Sequence, residues 1–76
     1  MSQLNWDDLR LFLAVARAGR LIGAGRALGL DHSTVARRLT ALETAVGSRL
    51  FDRGPRGAQL TEAGRGLVDH AERIEG

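Results

Sequence analysis

The sequence has no cysteine, no lysine and a single proline among its 76 residues. Without cysteine there is neither a disulfide frame nor a thiolate zinc site, so a chain near the lower size limit for unaided folding depends on helices packed round one core. Its 43% hydrophobic content makes one such core feasible. No apolar run approaches the ~18 residues of a membrane span. The opening residues, Met1 to Leu9, lack the basic start and apolar centre of a signal peptide, so the chain is expected in the cytoplasm, away from membranes. His32 and His70 stand far apart with no third nitrogen or thiolate to join them, so neither a metal nor another cofactor is expected.

What is present is arginine. All eleven basic residues are Arg, set against nine acids. The net charge of +2 is modest, but it is unevenly spread: residues 1–31 carry +1, residues 32–61 carry +3 and residues 62–76 carry −2. A basic middle third between a near-neutral scaffold and an acidic end fits a nucleic-acid face. A membrane-binding helix needs a broad apolar face beside its charge, and none is present.

The stretch from Asp31 to Val46, DHSTVARRLTALETAV, organises the rest. At about 100° per residue, Val35, Leu39, Leu42 and Val46 share one narrow stripe, the mark of a helix with one buried face. Ser33, Arg37, Thr40, Ala41 and Thr44 share the opposite face. Short hydroxylated residues and Arg let such a face approach closely and offer donors, as a helix in a DNA major groove must. Asp31 is a good N-cap for this helix, because its carboxylate can accept amide hydrogens of the first turn.

Around it the spacing predicts three helices, a hairpin and a fourth helix. Asn5 or Asp7 caps a first helix in which Leu9, Phe12, Leu13 and Ala16 face inward, with Trp6 as a core aromatic at its start and Gly19 ending it. A second helix runs from about Leu21 to Leu28 with Ala24, Ala27 and Leu28 inward. Gly23 and Gly25 each cost a helix interior on the order of 1 kcal/mol relative to Ala, which implies close backbone packing. Helix, short turn at Gly29 and helix make a helix-turn-helix, about residues 21–46. Residues 49–60 predict a small wing: Leu50 and Phe51 going out, a Gly-Pro-Arg-Gly tip carrying Arg53 and Arg56, and Ala58 to Leu60 returning. Pro55 denies that tip a continuous ladder, so the wing is expected to be short and bent. Thr61 caps a last helix, residues 61–76, whose thin seam of Leu67, Ala71 and Ile74 suits pairing with a second helix. That seam is still running at Gly76, so the chain is expected to be a fragment of something longer.

These residues resemble the N-terminal DNA-binding domain of LysR-type transcriptional regulators of bacteria. The resemblance runs from Leu9 to Gly66, through DLRLFLAVARAG, AGRALGLDHSTVARRLTALETAVGSRLFDR and above all LFDRGPRGAQLTEAG, where Leu50, Phe51, Arg53, Arg56, Leu60, Thr61, Ala63 and Gly64 stand at the family's spacing. It implies a mainly α winged helix-turn-helix over residues 1–60, a linker helix that pairs protomers from residue 61 on, and a C-terminal effector-sensing domain that this chain lacks. Three departures bear on what is read. His32 stands where the family commonly has Gln, and it offers a base one ring nitrogen where Gln bridges adenine with two contacts. Ala36 stands where Ser is frequent and offers only a methyl. Gly23 and Gly25 replace Ala or Ser.

Catalysis is excluded on geometry. Asp31, His32 and Ser33 spell the letters of a hydrolytic triad, but successive helical residues diverge by about 100° and cannot align as orienter, base and nucleophile. The sequence therefore predicts a non-enzymatic, sequence-specific DNA-binding domain that meets an interrupted inverted repeat in double-stranded DNA as a homodimer. His32, Ser33, Thr34, Ala36 and Arg37 face bases, while Arg38, Arg53 and Arg56 face phosphate or the minor groove. Leu67, Ala71 and Ile74 form the dimer seam. Glu43 is expected to pair with Arg10 or Arg49. The rival class is a protein-interaction module using the same face. Salt separates the two, because phosphate contacts release counterions and protein contacts do not.

Overall fold

The first helix is the hub of the core. The computed structural model describes residues 6–75, with side chains described through Arg73. Against α1 (Trp6–Ala18) pack α2 (Leu21–Leu28), α3 (His32–Val46), the second strand of the hairpin β1 (Phe51–Gly54) and β2 (Gly57–Leu60), and α4 (Glu62–Glu75). Neighbours on so many sides bury Leu9, Leu11, Phe12, Leu13 and Val15 together, a wider face than the single stripe that the spacing predicts. Trp6, expected in the core, is 45% exposed. It is the first residue of α1 and has the helix on one side only. Asp7 lies in the first turn, and the alternative cap, Asn5, lies outside the described residues.

The buried side of α2 is Ala24 and Gly25, flanked by half-buried Leu21 and Leu28. That set follows the i, i+3, i+4, i+7 template, which leaves Ala27 on the outside, where it is exposed contrary to expectation. The close packing expected at the glycines is present. A Cβ on Gly25 would stand 2.5 Å from the Leu30 carbonyl oxygen, and one on Gly23 would stand 3.1 Å from the Ala18 Cβ. The chain leaves α2 through Gly29 in a left-handed conformation and enters α3 at His32, three residues later.

On α3 the predicted stripe is the buried one: Val35, Leu39 and Leu42 are at most 2% exposed, and Val46 is half-buried. Gly47 (φ 78°) ends the helix. The hairpin pairs Phe51 with Leu60, Asp52 with Gln59, Arg53 with Ala58 and Gly54 with Gly57, so its ladder reaches the residues next to Pro55 and Arg56 and only those two form the turn. Phe51 is fully buried, and its ring centroid lies 5.4 Å from that of Phe12 at an interplanar angle of 46°. That tilted aromatic contact locks the base of the wing into the core.

Thr61 caps α4 as expected, its Oγ1 accepting from the Gly64 amide at 3.0 Å. The same hydroxyl donates to the Arg49 carbonyl at 2.6 Å, and the Thr61 amide donates to the Leu50 carbonyl at 3.0 Å. Ala71, expected in the dimer seam, is instead 0% exposed, buried in the core of its own chain, where α4 lies against α1. The Arg17 guanidinium stands 4.0 Å from the Glu72 carboxylate across that contact. Leu67 and Val68 are half-buried against the same core, and the side chain of Ile74 lies outside those described.

Two glycines of α4 separate close approach from helix propensity. A Cβ on Gly64 would collide with the Leu50 carbonyl oxygen, while one on Gly66 meets nothing within 4 Å. Gly64→Ala is expected to destabilise the chain by about 1 to 3 kcal/mol, the usual cost of overpacking against backbone. Gly66→Ala is expected to stabilise it by up to ~1 kcal/mol through helix propensity. Urea unfolding of the two variants checks both signs.

Candidate nucleic-acid interface

The leading end of α3 is built by Asp31. Its backbone is extended (φ −69°, ψ 145°) and its carboxylate accepts from the Ser33 amide at 3.0 Å, satisfying one of the unpaired donors of the first turn. Hydrogen bonding to the Ser33 side chain, and after it this bond from the Ser33 amide, holds the Asp31 carboxyl below the usual aspartate range. His32 is the first residue of α3 and lies exposed at its leading end.

Burial of the apolar stripe turns Ser33, Arg37, Thr40, Ala41 and Thr44 outward, and all five are exposed. Thr34 and Ala36 are half-buried at the margins of that face. Arg38, placed on phosphate by the sequence reading, is half-buried and lines a cleft with Asp7, Arg10, Leu28 and Leu30, on the side of α3 turned toward α1. His32, Ser33 and Arg37 therefore stand on open surface, and Arg38 stands apart from them.

The wing adjoins this face. Arg56 occupies the turn and is exposed. Arg53, expected beside it at the tip, sits lower on β1: its Nη2 donates to Thr40 Oγ1 at 3.4 Å and lies 4.0 Å from Glu43 Oε1. In place of the expected partners of Glu43, Arg10 and Arg49, stand Arg53 and two backbone amides. Glu43 Oε2 accepts from the amides of Leu50 at 2.7 Å and Phe51 at 3.1 Å. On the other flank, Ala58 donates to the Gly19 carbonyl at 2.8 Å, and Gly57 (φ 98°) presses against that carbonyl with no room for a side chain.

Sequence reasoning missed the groove between α2 and the wing, lined by Arg20, Leu21, Ile22, Arg53, Gly54 and Ala58. Ile22 is 55% exposed, and its signal was a large aliphatic residue on the outward side of a short helix beside Arg20. Because Arg53 lines this groove and also touches Thr40, the start of α2, the outer face of α3 and the wing form one continuous surface. Arg20, Arg37, Arg53 and Arg56 are exposed on it. Among the described residues no group of His, Cys, Asp and Glu could hold a metal ion, and no helix is long and apolar enough to cross a membrane.

The model of the bacterial regulatory helix-turn-helix proteins of the lysR family matches residues 6–65. An HTH-type transcriptional regulator of Mycobacterium tuberculosis is 48% identical over 64 residues, 84% of this chain and 20% of that protein. The SDS degradation transcriptional activation protein of a Pseudomonas strain is 42% identical over 67 residues, 88% of this chain and 22% of that protein. The chain thus spans about a fifth of the length of these curated relatives. Among solved structures, the DNA-binding domain of CbnR in complex with DNA superposes with a TM-score of 0.88 at 35% identity, over 93% of this chain and 82% of that one. The DNA-binding domain of BenM bound to benA site 1 DNA gives 0.88 at 25% identity, over 93% and 83%.

The cap makes a pH-dependent contribution of known sign. Because the Asp31 pKa is lower in the folded chain, its stabilisation is fully present above the ordinary aspartate range and is lost as pH falls through the folded value. Asp31→Ala is therefore expected to melt below the wild type at neutral pH. The gap should close as the medium is acidified below that folded value. Thermal unfolding of both proteins across that range measures it, and a gap that persists unchanged in acid would contradict the capping role.

Proposed function

The chain belongs to the LysR family of bacterial regulatory helix-turn-helix proteins, and from that premise we propose that it acts as a sequence-specific DNA-binding domain which meets an interrupted inverted repeat as a dimer. α3 enters the major groove with Ser33 and Arg37 toward base edges, and His32 reads at its leading end. Arg56 reaches phosphate or the minor groove from the turn of the wing. Thr34 and Ala36, at the margins of the reading face, tune the fit. The work is done in the cytoplasm, without enzymatic chemistry, metal or cofactor.

One observation carries this reading. The face of α3 left outward by burial of Val35, Leu39 and Leu42 is short, hydroxylated and cationic, and it is continuous with exposed arginines on the wing. The likeness to the DNA-bound domains of CbnR and BenM supports DNA as the partner. Affinity then comes chiefly from Arg to phosphate, and choice of site from α3. Arg38 fits this scheme only at the edge of the footprint, since it lines the cleft beside Asp7 and Arg10.

Pairing is assigned to α4. With Ala71 taken by the core, half-buried Leu67 is the described member of the expected seam that is left for a second protomer. We propose that the small-molecule effector implied by the family resemblance is sensed outside these residues.

Arg37 and Arg56 are expected to fail differently. Arg37→Ala should lose on the order of 1 to 3 kcal/mol on a selected site and much less on random duplex, so specificity falls with affinity. Arg56→Ala should weaken both duplexes alike and reduce the salt slope by about 1 per protomer. Titration of both variants against both duplexes at several salt concentrations decides, and equal losses for Arg37→Ala on the two duplexes would overturn the orientation of α3. For the pairing, sedimentation over a concentration series should show a weak, reversible dimer. Leu67→Asp should abolish the dimer and lower the melting temperature as well, since Leu67 also packs on the core, and a tight dimer surviving that change would reassign the seam.

A further inference from the structure

Three donors converge on the Glu43 carboxylate, two on one oxygen and one near the other. Oε2 takes the Leu50 and Phe51 amides, while Oε1 lies 4.0 Å from Arg53, whose Nη2 also donates to Thr40 on the outer face of α3. The Glu43 side chain is only 14% exposed. Holding two backbone amides needs one acceptor oxygen, which a neutral amide side chain supplies without the cost of desolvating a charge. The charge gains its use from the second oxygen and the guanidinium beside it.

We propose that Glu43 is a positioning residue for DNA reading: it fixes the wing against the recognition helix so that Arg56 and the face of α3 meet one duplex in one register. The proposal rests on the DNA-binding reading above. A helix in one groove and a wing at the next have to match the same duplex together. A wing left free to swing would be ordered only on binding, and the entropy lost then would subtract from the contacts Arg56 makes. The bracket does that ordering in the free protein at two points along β1: the amides hold its root and Arg53 ties its outer half to Thr40. Arg53 is accordingly a strut between wing and helix, and Arg56 the residue that reaches the nucleic acid.

The test is a double-mutant cycle between Glu43→Gln and Arg56→Ala, read as affinity and salt slope on a duplex selected from a random pool and on random duplex. Gln keeps an acceptor for the two amides and presents an amide NH₂ to Arg53, so the fold is retained while the strut is released. Its loss of one negative charge favours every duplex equally and cancels in the cycle. In wild-type background Arg56→Ala should weaken binding on the order of tenfold, and in Glu43→Gln background by less than about threefold, with little further change of salt slope. Equal factors and equal slope changes in both backgrounds would overturn the positioning role. If Glu43→Gln does not fold, Arg53→Gln leaves the amide bonds of Glu43 intact and is expected to give the same coupling, with independence again overturning it. Failure of the underlying reading is seen separately, in a wild type whose duplex binding ignores salt.

Discussion

The backbone of one residue, Leu50, carries the constraint on which the other parts depend. Its amide donates to Glu43 of α3, its carbonyl accepts from the Thr61 amide at the start of α4, and its side chain is 2% exposed in the core. The wing begins at the next residue. Recognition helix, wing and last helix are thus registered through a single peptide segment, and Gly64 lies so close to the Leu50 carbonyl that no side chain fits between α4 and that segment. A core of this size offers little apolar area per element. Backbone hydrogen bonds and side-chain-free approaches supply the precision that sheer burial does not.

The azimuth of α3 follows from the same economy of material. Full burial of a Val or Leu side chain is worth roughly 1.5 to 3 kcal/mol, and Val35, Leu39 and Leu42 are all buried on one side. Turning the helix by one residue would bring Arg38 toward the core and lift Leu39 out of it. Losing Val35, Leu39 and Leu42 from the core together would cost a large part of the roughly 5 to 15 kcal/mol that holds a small domain folded. The direction in which Ser33, Arg37 and Thr40 point is therefore dictated from behind, by residues that never approach a ligand, and the Asp31 cap fixes where that face begins.

Local periodicity makes α3 legible in the sequence: its stripe, outer face, cap and stop are each where the spacing puts them. The helix-turn-helix, the hairpin and the cap of α4 were legible for the same reason, since each is written in neighbouring residues. What was not legible depends on distant ones. α1 buries Leu11 and Val15 beyond its predicted stripe because four other elements surround it. Glu43 was matched with Arg10 or Arg49 because charge suggests charge, but two amides seven and eight residues on hold it instead. Arg53 was placed at the tip by composition of the turn, and strand register moved it down beside Thr40. Ala71 shares a heptad-like spacing with Leu67, and spacing alone cannot say whether a stripe meets another chain or its own.

That last ambiguity has a mechanical side. α4 is joined to the domain at its start by the two hydrogen bonds of Thr61 and further along by Ala71 against the core and Arg17 facing Glu72. A helix anchored at two levels over this length moves with the domain as one body. If protomers pair through what α4 leaves outside, the spacing and tilt of the two reading heads are set by the angle at which two such rigid bodies cross, with no flexible joint between pairing surface and α3. The Thr61 contacts run through Arg49 and Leu50, and Leu50 is also the residue that Glu43 holds. The path from a partner's helix to the wing is then a few hydrogen bonds long, and a change in helix crossing at α4 would arrive at the wing as a rotation of the whole domain.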